Sequence, residues 1–132
     1  MKKILFFLPA ILYYMLIFII SSIRFQIEAG IPSLDKVFHL VEFILLGFLL
    51  SLGYFLSIEG SLRKKSACVL ISGVLLGGLI EIYQYFLPTR SFEILDLVAD
   101  SLGILIGLFL FLYLSRTKRG RIFTEQLSRI GE

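Results

Sequence analysis

Four apolar runs of about twenty residues, joined by short polar connections, dominate this chain and leave few architectures open. They cover residues 4–23, 37–58, 66–87 and 94–114. A bilayer's hydrocarbon core takes about 20 helical residues to cross. Inside it every backbone N–H and C=O must be satisfied within its own segment, so each run is predicted to be a helix. The expected fold is all-α, a polytopic membrane protein with four transmembrane helices in a bundle. Residues 1–114 would form that domain and residues 115–132 a basic cytoplasmic tail. Composition points the same way, because 58% of the residues are apolar and the mean hydropathy is +0.93, far above a soluble domain. The first run follows Met1-Lys2-Lys3. It exceeds the roughly 7–15 residues of a secretory signal core and no small-x-small site closes it, so an uncleaved helix is expected.

Basic residues set the expected orientation. Lys2 and Lys3 precede the first run, Arg63, Lys64 and Lys65 fall between the second and third, and Arg116, Lys118, Arg119, Arg121 and Arg129 follow the fourth. Ten of the thirteen Lys and Arg therefore collect on one side, which the positive-inside rule assigns to the cytoplasm together with both termini. The acids divide the other way. Seven of ten, Glu28, Asp35, Glu42, Glu81, Glu93, Asp96 and Asp100, fall in the outer loops or the outer half of the helices. The tail is expected to lie on the anionic inner leaflet as a short amphipathic piece. The single cysteine, Cys68, excludes an internal disulfide and reads as a small packing residue. Trp is absent, which leaves interfacial anchoring to Tyr and Phe.

The polar residues repeat at helical spacing. Asp35, His39 and Glu42 are spaced i, i+4, i+7 and share one face of the second helix, a stripe that continues to Leu46 and Gly53. Gly77, Gly78, Glu81, Gln84, Tyr85 and Pro88 share a side of the third helix; Asp96, Ala99, Asp100, Gly103 and Gly107 share a side of the fourth. Glycines at such spacing permit close helix approach. Glu42 and Glu81 each lie six residues from the outer end of their segment, roughly 9 Å at 1.5 Å per residue, and Asp100 is at similar depth. Three helices thus carry ionisable groups at one level. A charged acid facing lipid costs several kcal/mol, so these groups are expected to turn inward, pair, meet water or bind something. Lys36, His39 and Arg90 oppose Asp35, Glu42, Glu81, Asp96 and Asp100. The excess acid calls for a retained proton, a cation or a cationic ligand.

Each group has a chemical and a structural reading. His39 suits a general acid/base or metal ligand, or pairs with an acid across the bundle. Glu81 is a candidate catalytic or ligand-binding carboxylate, or one half of a structural ion pair. Arg90 suits a phosphate or carboxylate headgroup, or neutralises Asp96 or Glu93. Asp96 fits the N-terminal dipole of the fourth helix. Asp96 and Asp100 also suit a shared proton or, with Glu81, half of a divalent-cation site. Gln84, Tyr83 and Tyr85 lie where contact with a sugar or headgroup is chemically reasonable, although interfacial Tyr needs no ligand. No HExxH or cysteine cluster points to zinc, and no phosphate-cradling loop, serine elbow or nucleic-acid motif occurs. The metal and any cofactor are left open.

The pattern Asp35-Lys36-x-x-His39-x-x-x-Phe43, then Glu81-x-x-Gln84…Pro88-x-Arg90, then Asp96-x-x-x-Asp100-x-x-Gly103 resembles the VanZ-like family. These are small membrane proteins named for a teicoplanin-resistance protein. The resemblance runs from about residue 33 to 107, and the segment ending in Ser21-Ser22 resembles the family's stretch before the first loop. The family usually carries Asn where this chain has Asp100. What the resemblance implies is a bacterial cell-membrane protein whose outward-facing polar site recognises, or modifies, a lipid-linked envelope molecule or amphiphile, linked to glycopeptide sensitivity. His39, Glu81, Asp96 and Asp100 would be its acid/base cluster, and Asp35, Lys36, Glu42, Gln84 and Arg90 its ligand-binding groups. The expected partners are membrane lipids, a lipid-linked envelope precursor or a glycopeptide, with no nucleic acid. Non-catalytic binding of a lipid, glycopeptide or partner helix is the alternative, followed by a proton-coupled carrier. Enzymatic turnover and oligomeric state are left open.

Overall fold

The computed structural model describes residues 2–24, 32–88 and 92–130. A short 3₁₀ turn, Lys2–Phe7, leads into α1 (Leu8–Arg24), followed by α2 (Pro32–Ser57), α3 (Leu62–Tyr85), α4 (Ile94–Arg116) and α5 (Lys118–Ile130). No strand occurs among the described residues. Four stretches, Lys3–Ser22, Lys36–Ser57, Leu62–Tyr85 and Ile94–Arg116, are long and apolar enough to cross a membrane, and the chain is a multi-pass all-α protein. Leu75, Leu79, Val41 and Phe109 are among the many large apolar side chains on the outer surface, where lipid rather than water satisfies them.

Local chemistry sets the helix ends. α2 starts at Pro32, five residues before the expected start at 37. Proline suits a first helical position because its missing N–H would find no partner there. α3 starts at Leu62 rather than 66, because Ser61 caps it: its side chain accepts the Lys64 N–H at 3.3 Å. Arg63, Lys64 and Lys65 therefore occupy the first turn of α3 instead of a loop. Gly60, at φ +139°, makes the turn before it in a region that L side chains rarely enter. The tail beyond α4 is helical. Thr117 breaks the chain direction, donates to the Leu114 carbonyl at 2.7 Å and accepts the Gly120 N–H at 3.1 Å. α5 then folds back beside the ends of α2 and α4, bordering a cleft of about 300 Å³ lined by Phe55, Phe111, Ser115 and Thr124.

α2 and α4 form the central pair and run in the same direction. Their backbones meet because three glycines leave room. A Cβ on Gly47 would come within 2.6 Å of the Ile104 carbonyl, one on Gly103 within 2.7 Å of the Leu40 carbonyl, and one on Gly107 within 2.7 Å of the Phe48 nitrogen. The Gly103-x-x-x-Gly107 spacing is thus used as a packing face against α2. Around this contact the core collects Phe43, Leu46, Leu50, Val69, Ile80 and Ile104. α3 runs antiparallel to α4, with Gly73 against Ile104 and Gly77 against Asp100. α1 joins through Tyr14, whose hydroxyl donates to the Leu76 carbonyl at 3.0 Å. The stripe expected on α3 narrows: Val69, Gly73, Gly77, Ile80, Glu81 and Gln84 are buried. Tyr85 is 63% exposed and Gly78 has open space where a side chain would stand, because each is one residue, about 100°, past a buried neighbour.

Candidate functional site: a buried polar cluster at one end of the bundle

The up-and-down path brings the end of α1, the start of α2, the end of α3 and the start of α4 together. His39 lies on the buried stripe of α2 that continues through Phe43, Leu46 and Leu50. Glu81 and Gln84 lie on the buried stripe of α3, and Asp96 and Asp100 on that of α4. His39, Glu81, Asp96 and Asp100 are each at most 2% exposed, inside segments apolar enough to span a membrane. His39 Nδ1 is 2.9 Å from Asp100 Oδ1 and 3.9 Å from Glu81 Oε1, so one imidazole addresses carboxylates of two helices. Gly77 makes room for this: a Cβ there would stand 2.9 Å from Asp100 Oδ2.

Glu81 also holds the entry to α4. Its Oε2 accepts the backbone N–H of Glu93, the residue preceding that helix, at 3.2 Å. Asp96 sits in the first turn of α4, where a carboxylate meets the positive end of the helix dipole. Above it, Lys36 donates to Glu93 Oε2 at 2.8 Å and lies 3.3 Å from Asp96 Oδ1. The Lys36 side chain is 32% exposed and the Glu93 side chain 46%, against 2% for Asp96. Lys36 is therefore the rim of the cluster, with one contact at the surface and one below it. The charges it faces are acids of the chain itself.

The other expected residues are placed as follows. Gln84 is buried and donates to Ser21 Oγ of α1 at 2.6 Å. Glu42 is half-buried at the edge of the α2 stripe, about 60° from its centre. Asp35 belongs to α2, but its side chain lies outside the described residues, as does Arg90. Ser21 and Glu93 join the cluster without having been singled out as site residues. Ser21 is the first of a Ser21-Ser22 pair closing an apolar run, and its signals were that pair's resemblance to the family and its place at the same outer level. Ser22 and Tyr83 pair beside it at 2.7 Å, with Phe18 against the Tyr83 ring at 4.1 Å. α1 is thus a fourth wall of a cluster expected from three helices.

Chemically, the arrangement offers an imidazole oriented by a carboxylate, a second buried carboxylate beside it, and a partly exposed ammonium at the rim. Residues 1–116 match the protein-family model described as VanZ/LLP1, and the chain belongs to that family. An uncharacterised protein of Schizosaccharomyces pombe is 29% identical over 121 residues, which cover 91% of this chain and 70% of the yeast protein. No solved structure matches the chain.

Proposed function

We propose that this VanZ/LLP1 family member sits in a bacterial cell membrane with both termini in the cytoplasm and recognises a lipid-linked envelope molecule or similar amphiphile through its acidic end. The observation that carries the reading is the position of Lys36, one-third exposed, bonded to surface Glu93 and reaching down to buried Asp96. An anionic headgroup entering between the helix ends would exchange with Glu93 for the ammonium, and its acyl chains would lie along the apolar outer surface. Arg90, three residues before Glu93 in the sequence, is a second cation of a kind suited to phosphate or carboxylate. Below the rim, His39, oriented by Asp100 and flanked by Glu81, is the group placed to move a proton on the bound headgroup. The orientation follows from the positive-inside rule: the opposite end carries Arg63, Lys64, Lys65 and the basic face of α5. By altering how an envelope precursor is presented, such a protein would change sensitivity to a glycopeptide such as teicoplanin.

A non-catalytic version is favoured by a specific observation: several polar groups of the cluster are engaged with one another, as in the His39–Asp100, Gln84–Ser21 and Glu81–Glu93 contacts. A carrier receives less support, since serines toward the other end spend their hydroxyls on their own helix, Ser51 on Gly47 and Ser72 on Cys68. The test is a comparison of cells carrying wild type, Lys36→Ala, His39→Ala and Glu81→Gln, each verified for insertion. The expected result is an altered lipid-extract profile and altered glycopeptide sensitivity in all three variants. Profiles identical to wild type would end the headgroup reading. Binding to a short-chain lipid-phosphate probe without product, using purified wild type, would select the non-catalytic version.

A further inference from the structure

Carboxylate oxygens of the cluster are poorly served by the chain itself. Glu81 is fully enclosed, and its Oε2 takes the Glu93 N–H, yet its Oε1 accepts no hydrogen bond. The nearby His39 Nδ1, at 3.9 Å, is beyond hydrogen-bond reach. Asp96 Oδ1 is buried, and its ion pair with Lys36 at 3.3 Å is longer than the 2.8 Å contact of Lys36 with Glu93. Bare carboxylate oxygens within a membrane-spanning segment are expensive unless a positive charge meets them. His39, Glu81 and Asp96, from α2, α3 and α4, each offer one ligand atom, a ring nitrogen or a carboxylate oxygen, and these three atoms lie within 4.8 Å of one another.

We propose that His39, Glu81 and Asp96 bind one divalent transition-metal cation. Donors at about 2.0–2.2 Å from a metal stand roughly 3–4 Å apart, so the three side chains would close by less than about 1 Å around the ion. One imidazole and two carboxylates, with no sulfur, suit Zn²⁺ or Mn²⁺. Ca²⁺ would want six or more oxygens. Asp100, 2.9 Å from His39 Nδ1, holds the ring as carboxylates behind metal-binding histidines do, and is a positioning residue. Lys36 can yield Asp96 to the ion, because its shorter contact is with Glu93. The ion also answers the excess of acid over base in the cluster. Three protein donors leave a coordination position for water or for an oxygen of an anionic ligand. All the ligands come from the chain, so the site needs no headgroup; an ion on His39 would take the place of the proton transfer proposed for that residue.

The test uses the full chain purified in detergent, stripped with chelator and dialysed against Zn²⁺ or Mn²⁺, with bound metal quantified by mass spectrometry. The expected result is a single retained equivalent in wild type and in the exposed-acid control Glu59→Gln. Glu81→Gln and Asp96→Asn should each weaken retention by more than about tenfold, and Asp100→Asn by about 10–100-fold. A second readout needs no variant: chelator should lower the thermal midpoint of wild type, and Zn²⁺ or Mn²⁺ should restore it. No retained metal and no midpoint shift in wild type overturns the inference, as does equal retention by wild type and folded Glu81→Gln. Stoichiometric metal alongside unchanged lipid-phosphate binding in Lys36→Ala would keep this site and remove the headgroup reading.

Discussion

The two ends of this bundle handle charge in opposite ways. At one end His39, Glu81, Asp96 and Asp100 are buried and answer one another across three helices. At the other end the charges stay at the surface, as in the 3.6 Å contact of Lys3 with Glu59, where the side chains are 49% and 94% exposed. Arg63, Lys64, Arg119 and Arg121 are exposed as well. The basic end needs only long side chains reaching the interface, which costs little and serves orientation. The acidic end must desolvate several ionisable groups, which stability alone does not reward. Groups held at such cost within membrane segments are the physical ground for proposing the acidic end as the site.

The comparison breaks most visibly by removing one partner of the buried pair. Asp100→Leu leaves His39 and Glu81 without their neighbour's charge, and unfolding in detergent should show a loss of about 3–5 kcal/mol. A matched pair of glycines sharpens the point about space. Gly77→Ala pushes a methyl against Asp100 and should cost about 1–3 kcal/mol. Gly78→Ala, its neighbour in open space, should be neutral or stabilising by up to about 1 kcal/mol. Thermal midpoints of the two variants measured side by side decide it. Ser21→Ala removes the acceptor of the 2.6 Å bond from Gln84, and chemical denaturation should register about 1 kcal/mol. The smallest effect belongs to the basic end: Glu59→Gln should leave the unfolding midpoint where it is.

Much of this contrast was legible in the sequence, and the reason is depth. Spacing along a helix fixes both face and height, so Glu42, Glu81 and Asp100 could be placed at one level from their distance to the segment ends. The glycine spacing of α4 announced a packing face, though not its partner. What spacing cannot carry is which distant residues meet. The Lys36–Glu93 bond spans 57 positions and the Ser21–Gln84 bond 63; both follow from how α1 and α4 settle beside their neighbours. Lys36 was expected to oppose the chain's acids as well as to hold a ligand, and its contacts with Glu93 and Asp96 show the first of these. The helix starts shifted for local reasons, a proline in α2 and the Ser61 cap of α3, whose contributions hydropathy does not register. Gly78 and Tyr85 show the limit of face-reading: a residue one step from the buried stripe of α3 has the right height and a different angle.

The central claim is that the acidic end is a coupled, desolvated cluster and the basic end a set of independent surface charges. The most direct measurement is a pair of double-mutant cycles on unfolding free energy, His39→Ala with Asp100→Ala and Lys3→Gln with Glu59→Gln. A coupling of at least about 1 kcal/mol is expected for the first pair and none above error for the second. Additive effects for His39 and Asp100, equal to the behaviour of the surface pair, would contradict it.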